Sequence, residues 1–336
     1  MAQKIITIIL GLAVVAALAW YVNKNYIQPT SEATDIKITN KDAAKSQDGT
    51  SKETSAAESL VYVNRGSATI IWSRDSSGNA KKIFTDADET DKLFTLSNVS
   101  SAASNILAVV SKGSKSMGRL VSIDLKTAKE TKVRDSFPAP ENLAVSKDGS
   151  LFSYTRFSNV EANYGFTLYY EPVGEGAPIE VSKSDYEIIS PAFSPSSTKI
   201  AYANAAGKNT ELFSYSISAK KSDKIATLVG KAVDSLSWPS ADKIIISVRK
   251  IGTENSGEID VVNPNTGEIE KIANFSGGRA SFIFLDSPAD RLAFIVAQYK
   301  DKVETDISGQ LYVVEIATGK KETLEKCNQI LGWMSS

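Results

Sequence analysis

The stretch ISPAFSPSSTKIAYAN, residues 189–204, contains two short apolar runs separated by the polar turn Ser194-Pro195-Ser196-Ser197. Short alternating apolar runs on either side of a Pro- and Ser-rich turn are typical of a β-hairpin. Similar hairpins recur along the chain, most clearly as NLAVSKDGSLFSYTR (142–156), DSLSWPSADKIIISVRK (234–250) and ASFIFLDSPADRLAFIVAQ (280–298). The opening stretch is therefore one copy of a repeat.

A second type of hairpin follows each copy of the first. Its clearest examples are GEIDVVNPNTGEIEKIA (257–273) and GQLYVVEIATGKKETL (309–324). One turn residue in each copy shows a mean period of about 48 residues. These turn residues are Gly78, Ala128, Gly174, Ala219, Gly267 and Gly319. Two hairpins in each period make four strands, which is typical of a β-propeller blade.

The two ends of the repeat region supply the remaining strands. ILGWMSS (330–336) has the pattern of a first strand without a second, and LVYVNRG (60–66) has that of a second strand without a first. If these two strands pair, the ring closes with six blades and without an exposed edge. The sequence therefore predicts an all-β fold in which residues 60–336 form a six-bladed β-propeller, closed by pairing of the N- and C-terminal strands.

The first 27 residues differ from the rest of the chain. Residues 5–22, IITIILGLAVVAALAWYV, are an uncharged run long enough to cross a bilayer as a helix. The residues that follow are typical of a membrane interface: Trp20, Tyr21, Lys24 and Tyr26. The alternative is a cleaved signal peptide, because Ala17-Leu18-Ala19 fits a cleavage pattern. We expect residues 1–27 to be a transmembrane signal-anchor of a single-pass plasma-membrane protein, with the propeller on the extracytoplasmic side.

Residues 28–59 are rich in Ser, Thr and charged residues, and Ile36 and Ile38 are their only large apolar residues. Such a segment buries too little apolar surface to offset the entropy lost on ordering. We therefore expect a disordered polar linker between the anchor and the propeller.

The composition excludes several classes of function. A formal net charge of −1 does not favour nucleic-acid binding. The chain has no histidine, which excludes histidine-based triads, general bases and metal ligands. The single cysteine, Cys327, excludes an intramolecular disulfide and a cysteine-rich zinc site, and we expect it to be a small buried apolar residue. No residue is predicted to be catalytic or to bind a cofactor.

Two segments carry a resemblance to a known family. SPAFSPSSTKIAYA (190–203) and AVSKDGSLFSY (144–154) resemble the strand-Ser-Pro-Asp-Gly-strand core of the TolB-type propeller repeat, which also occurs in prolyl oligopeptidase-like proteins. The resemblance covers residues 60–336 in architecture, and blades three to five carry the motif best. It implies an extracytoplasmic protein that binds partners. The chain lacks a Gly-x-Ser-x-Gly motif and the length for a hydrolase domain, so a peptidase is excluded.

Two acidic stretches are weaker candidates for a site. WSRDSSGNAKKIF (72–84) is similar to the Asp-box of sialidases but has one residue too many before the glycine, so we expect Asp75 to stabilise a turn. TDADETDKLF (85–94) spaces Asp86, Asp88 and Asp91 like a calcium loop but lacks its glycine and its closing Glu. We expect no cofactor, with calcium as the alternative.

The loops predict a binding face. In a four-stranded blade, the b–c and d–a loops share one face, and here the b–c loops are long and variable, as binding loops often are. Basic and aromatic residues recur in these loops: Arg65, Lys112, Arg156, Lys208, Arg249, Lys250, Lys300, Phe157, Tyr164 and Tyr299. We expect acids from the d–a loops on the same face: Asp86, Asp88, Asp91, Asp135, Asp185 and Asp234.

The predicted partner-binding residues are Arg65, Lys112, Arg156, Tyr164, Arg249, Lys250, Tyr299 and Lys300. Such a face suits a protein or an anionic envelope ligand, although solvated loops are often rich in lysine as well. The sequence thus predicts a membrane-anchored binding or scaffold module of the cell envelope. The alternative is a metal-dependent enzyme, lactonase-like or carbohydrate-active, with its site at the central tunnel. A purely structural surface protein is a third possibility.

Overall fold

The computed structural model describes residues 36–39, 58–66, 68–86, 92–111, 117–160, 164–253, 256–286, 290–297 and 308–335. These residues form 25 β-strands in six antiparallel sheets. The predicted anchor, residues 1–27, and most of the predicted linker lie outside this part of the chain. No helix in the described ranges is long and apolar enough to span a bilayer.

Each sheet is one blade, whose strands are named a to d from the centre outwards. The chain begins with the short strand β1 (Lys37–Ile38). Blade 1 contains β2 (Glu58–Arg65), β3 (Thr69–Arg74) and β4 (Ala80–Asp86). Blade 2 contains β5 (Lys92–Leu96), β6 (Asn105–Ser111), β7 (Met117–Asp124) and β8 (Lys129–Pro138). Blade 3 contains β9 (Asn142–Val145), β10 (Leu151–Ser158), β11 (Gly165–Pro172) and β12 (Ile179–Ser184).

The second half of the chain continues the same pattern. Blade 4 contains β13 (Ile188–Phe193), β14 (Lys199–Ala206), β15 (Asn209–Ser216) and β16 (Lys221–Val229). Blade 5 contains β17 (Lys231–Ser240), β18 (Lys243–Lys250), β19 (Ser256–Val262) and β20 (Ile269–Ser276). Blade 6 contains β21 (Arg279–Asp286), β22 (Arg291–Ala297), β23 (Gly309–Glu315) and β24 (Lys320–Cys327), and β25 (Gln329–Ser335) follows it.

The last strand closes the ring. Strand β25 is strand a of blade 1 and pairs with β2, from Glu58 opposite Ser335 to Val63 opposite Gln329. The first and last strands of the propeller therefore share one sheet, which confirms the predicted closure. A break of this pairing would expose the edges of two strands of blade 1 at once, β25 and β2.

The core lies between the blades. Each of the six clusters of buried apolar residues combines side chains of two neighbouring blades. In β18, for example, Ile244 and Ile246 face blade 4, whereas Ile245 faces blade 6. Because side chains alternate between the faces of a strand and both faces are covered, the inner strands are continuous apolar runs.

The turns between strands c and d explain the period of the sequence. The predicted turn residues of five blades have positive φ: Gly78, Ala128, Gly174, Gly267 and Gly319. In blade 4 the residue with positive φ is Lys220 (50°) and not the predicted Ala219. The repeat thus places this turn correctly to within one residue. Ala128 and Lys220 adopt positive φ although they are not glycine, because the flanking strands impose the geometry of the turn.

Strand β1 differs from the predicted linker. It lies antiparallel to β20, with Lys37 opposite Asn274 and Ile38 opposite Ala273, as a fifth strand of blade 5. Ile36 and Ile38 pack against the apolar cluster between blades 5 and 6. The expectation of disorder is therefore wrong for residues 36–39, because the edge of blade 5 offers backbone partners and an apolar surface.

Candidate functional site

The connections between strands define two faces. We call the side of the b–c and d–a connections the loop face, and the side of the a–b and c–d turns the turn face. The b–c connections follow Arg65, Ser111, Ser158, Ala206, Lys250 and Ala297. The d–a connections follow Asp86, Pro138, Ser184, Val229, Ser276 and Cys327.

The repeated Ser and Asp residues stabilise the turn face. Ser146 Oγ donates to Asp148 Oδ1 (2.6 Å), and the N–H of Leu151 donates to Ser146 Oγ (2.9 Å). The hydroxyl of Ser197 in blade 4 donates to the same carboxylate (3.2 Å), which links two neighbouring blades. These hydrogen bonds, that of Ser146 most of all, lower the pKa of Asp148 to about 2. The motif that identifies the fold therefore has a structural role.

The two acidic stretches also bind backbone groups. The N–H of Asn79 donates to Asp75 Oδ1 (2.8 Å), which confirms that Asp75 stabilises a turn. The N–H of Leu93 donates to Asp86 Oδ2 (3.1 Å). The other acids of the calcium alternative, Asp88 and Asp91, lie outside the described residues. Within the described ranges, no three His, Cys, Asp or Glu side chains form a cluster that could hold a metal ion.

A central tunnel of about 930 Å³ is lined by the strands a of all six blades. Its lining extends from Arg65, Glu141 and Asn328 at the loop face to Lys147 and Trp333 at the turn face. A cavity of this size and mixed polarity is in the range of binding sites in other proteins, about 300 to 1,000 Å³.

Polar side chains at the loop-face mouth of the tunnel are held in position by hydrogen bonds. The N–H of Arg65 donates to Asn328 Oδ1 (2.7 Å), and its guanidinium donates to the carbonyl of Leu93 (2.9 Å). Asn142 Nδ2 donates to Thr155 Oγ1 (3.1 Å). The polar side chains around the mouth are therefore held in fixed positions.

Charges of both signs surround this mouth. Glu187 is an exposed residue in the d–a connection before β13, on the loop face. Partial desolvation of its carboxylate raises the pKa of Glu187, the charges of Glu141 and Asp234 raise it further, and Arg279 and Arg249 oppose the shift. A ligand at the mouth therefore meets acidic and basic groups together.

The structure describes five of the eight predicted partner-binding residues. Arg65 makes the contacts described above, and Arg249 Nε donates to Asp234 Oδ1 (3.0 Å) between strands a and b of blade 5. The other three are exposed at the loop face: Arg156, Tyr164 and Lys250. The remaining three lie outside the described residues: Lys112, Tyr299 and Lys300. The structure thus brings Arg65 to the tunnel mouth, whereas Arg156, Tyr164 and Lys250 are not part of the tunnel lining.

Three of the predicted loop acids lie in strands. Asp86 is the last residue of β4, Asp135 is in β8, where it pairs with Lys132 (2.8 Å), and Asp234 is in β17. The strands β8 and β17 are each ten residues long and extend further towards the loop face than the alternation of apolar residues predicted. Asp185 is in a d–a connection, as predicted, and is exposed.

Exposed apolar side chains concentrate on the loop face. Among the described residues, eight large apolar residues are exposed, and all but Ile269 lie on this face. The seven are Met117, Phe157, Val160, Tyr164, Tyr186, Val229 and Ile251. Single exposed apolar residues are common, so their restriction to one face is the informative observation. Sequence analysis identified only Phe157 and Tyr164, although an apolar residue inside a polar loop is a signal for the others.

Blade 3 holds the densest part of this surface. The rings of Phe157 and Tyr164 are nearly perpendicular, with centroids 5.7 Å apart, and Phe166 lies 4.9 Å from Phe157. Gly165 approaches the backbone of Ser184 and Asp185, so the aromatic residues lie beside the connection that carries Tyr186. Phe157 and Tyr164 remain 43 % and 56 % exposed in spite of these contacts.

A second charged cluster lies at the turn-face end of the tunnel. Arg291 Nε donates to Asp286 Oδ2 (2.8 Å), and the guanidinium carbon lies 4.6 Å from the centroid of the Trp333 ring. Burial, followed by the hydrogen bond and the charge of Asp286, raises the pKa of Glu58 to about 7. Because Glu58 is the first residue of β2, this cluster lies where the ring closes.

No family model matches the chain, and no curated protein matches it. Among solved structures, the putative TolB from Agrobacterium tumefaciens is similar, with a TM-score of 0.59 and 13 % identity over 83 % of this chain and 93 % of its own. TolB from Acinetobacter baumannii has a TM-score of 0.60 and 14 % identity over 83 % of this chain and 66 % of its own.

An oligogalacturonate lyase in complex with manganese is also similar, with a TM-score of 0.52 and 13 % identity over 77 % of this chain and 71 % of its own. At such identities a likeness shows the fold alone. The fold is a TolB-type six-bladed propeller, which confirms the resemblance found in the repeat.

Proposed function

We propose that this chain is a membrane-anchored, extracytoplasmic binding module that receives a segment of a protein partner at the loop-face mouth of its central tunnel. The observation that carries the proposal is the tunnel of about 930 Å³, to which every blade contributes. TolB-like proteins are extracytoplasmic and bind partners, and the shared fold supports a similar use here.

The chemistry of the mouth supports a polar, extended ligand. Arg65 and Asn142 are fixed by hydrogen bonds, so little side-chain entropy is lost when a ligand binds beside them. Glu141 and Glu187 offer acceptors on the same rim. A peptide segment carries backbone donors and acceptors and charges of both signs, which fits this arrangement.

The proposed location depends on the N-terminal sequence. Residues 5–22 are apolar over a length that matches the bilayer core, with aromatic residues and Lys24 after them. Retention of this segment would hold the propeller at the outer side of the plasma membrane. A cleaved signal peptide would release the same domain on the same side.

Affinity capture from envelope fractions with the full-length chain tests this proposal. Glu141→Arg changes the charge at the mouth of the tunnel, whereas Glu180→Arg makes the same change on the exposed outer strand of blade 3. We expect one protein to be captured by the wild type and by Glu180→Arg, and to be reduced at least tenfold by Glu141→Arg. Equal capture by both variants would contradict a site at the mouth.

The alternative is a metal-dependent enzyme with its site in the same tunnel, as the likeness to a manganese-bound lyase suggests for the fold. Calcium or manganese measured in the purified protein, together with turnover that a chelator abolishes, would favour the enzyme. Salt-sensitive capture of a protein without turnover would favour the binding module.

A further inference from the structure

Strand β1 determines from which face the chain leaves the propeller. Strand β20 runs from the c–d turn on the turn face to the d–a connection on the loop face. Because β1 is antiparallel to β20, it runs from the loop face towards the turn face. The N–H of Thr39 donates to the carbonyl of Ile272 (2.8 Å), so the Ile36 end of β1 lies nearer the loop face. Everything N-terminal to Ile36 therefore joins the propeller at the loop-face rim of blade 5.

Without β1 the N-terminal segment would join the propeller at the turn face. The propeller itself begins at Glu58, which is at the turn-face end of β2. A β-strand rises about 3.3 Å per residue, so the eight residues of β20 separate the two faces by about 26 Å. The two-residue strand β1 thus reverses the face that is attached to the N-terminal segment.

We propose that β1 turns the loop face of blade 5 towards the membrane, and that the exposed apolar side chains of blades 3 to 5 rest on the phospholipid surface beside the tunnel mouth, which stays open to the partner segment. The inference rests on the proposed membrane anchor. Thirteen residues lie between Val22, the end of the apolar run, and Ile36, and the fourteen Cα–Cα steps of a fully extended chain span at most about 50 Å. The loop face of blade 5 is therefore confined to the neighbourhood of the bilayer.

The side chains of the loop face fit a lipid surface. Phe157, Tyr164 and Tyr186 are exposed at blade 3, and tyrosine, like tryptophan, is enriched at the membrane interface. Val229 and Ile251 are exposed next to each other, since the N–H of Ile251 donates to the carbonyl of Gly230 (2.9 Å). They lie on blades 4 and 5, close to where the chain leaves.

Basic side chains accompany these apolar residues. Arg156 precedes Phe157, and Lys250 precedes Ile251. Lys208 lies close to Val229, because the carbonyl of Lys208 accepts a hydrogen bond from the N–H of the next residue, Gly230 (3.1 Å). All three side chains are exposed. Basic residues beside exposed aromatic and aliphatic residues bind anionic lipid headgroups while the apolar groups enter the interface.

Labels placed on the two faces test the orientation. The full-length chain is reconstituted into nanodiscs of phosphatidylcholine and phosphatidylglycerol that contain a nitroxide lipid, and a fluorophore is attached to one introduced cysteine. Tyr164→Cys and Ile251→Cys report on the loop face, and Glu175→Cys and Asn265→Cys report on the turn face of the same two blades. The native Cys327 is buried, and the wild type measures its residual labelling.

We expect the lipid to quench the loop-face labels at least threefold more than the turn-face labels. Ile36→Ser combined with Ile38→Ser releases β1 and should abolish or reverse this difference. Lys37→Ser is the matched control, because its side chain is exposed while both isoleucines pack on the core, and it should retain the difference. Equal quenching of both faces, or stronger quenching of the turn face, in the wild type would overturn the inference.

Two further results separate this inference from the proposed function. If alkaline extraction removes the wild-type chain from membranes, the proposed anchor is wrong and the inference loses its premise. If the chain resists extraction but the turn face is quenched, only the orientation is wrong. Labels that stay unquenched in lipid but become shielded when a captured protein is added would show that a protein, and not the bilayer, covers the face.

Discussion

Arg134 of blade 2 and Glu171 of blade 3 form an ion pair across the blade boundary, with 2.6 Å between Nη1 and Oε2. The side chain of Glu171 is fully buried, and Arg134 also donates to the carbonyls of Gly174 (3.3 Å) and Gly176 (3.2 Å). The outer strand of one blade is thereby tied to the turn of the next. A buried carboxylate depends on such a partner, because its desolvation is not otherwise compensated.

Replacement of Arg134 should therefore destabilise the propeller. We expect Arg134→Ala to lower the free energy of unfolding by about 3 kcal/mol, as for other buried ion pairs that lose one partner. Arg119→Ala is the control, because Arg119 and Glu130 form an ion pair (3.4 Å) on the surface of the same blade. Arg119→Ala should lower the free energy of unfolding by less than about 1 kcal/mol. Urea unfolding measures both, and similar costs would show that the Arg134 pair is no more important than a surface pair.

The raised pKa of Glu58 predicts a pH dependence of stability. The pKa is about 7 in the folded protein and 4.5 without these interactions, so the folded state binds this proton more tightly. The contribution of Glu58 to the free energy of unfolding is therefore greatest below pH 4.5, decreases as the pH rises to about 7, and is constant above that. Since Glu58 is partly exposed, solvent screening reduces the change to about 1 to 2 kcal/mol.

Glu58→Gln should remove this decrease, because glutamine does not ionise. Urea midpoints measured between pH 5 and pH 8 compare the variant with the wild type, and Glu180→Gln on the exposed edge of blade 3 should follow the wild-type profile. A Glu58→Gln protein that keeps the wild-type slope would mean that other groups cause it.

Gly257 lies at the start of strand c, where the backbone passes close to strand b. A Cβ atom there would lie 2.7 Å from the carbonyl oxygen of Val248 and 2.3 Å from Cζ of the buried Phe275. We expect Gly257→Ala to lower the free energy of unfolding by about 1 to 3 kcal/mol, the usual cost of overpacking. Gly66→Ala is the control, because no atom lies within 4 Å of its Cβ position. Thermal unfolding should show a lower midpoint for Gly257→Ala alone.

Cys327 provides a reporter of global unfolding. The side chain is fully buried in the cluster between blades 6 and 1, and burial raises the pKa of its thiol. Both effects suppress reaction with disulfide reagents in the folded state. We expect the native thiol to react at least 100-fold more slowly than a cysteine introduced at the exposed Ser76. Rapid reaction of Cys327 without denaturant would instead show that the closing strands open locally.

Several features of the structure depend on contacts that no local sequence pattern reveals. Arg249 is one of the basic residues that recur at the ends of strands b. Its ion pair with Asp234 of the neighbouring strand could not be predicted from this recurrence. Residues 36–39 have the composition of a linker, yet they form a strand because the edge of blade 5 is free to pair with them. Isolated two-residue strands are unstable, so only the completed propeller makes β1 possible.

The repeat, the six blades and the closure of the ring could all be predicted from the sequence alone. Each of these follows from short-range alternation of apolar residues and from turns within one hairpin, and both are local properties of the chain. Three other features could be read only from the folded protein: which basic residues form ion pairs, where the exposed apolar residues lie, and at which face the N-terminal segment joins the propeller. These depend on residues far apart in the chain, such as Ile38 and Ala273, that meet only after the blades have formed.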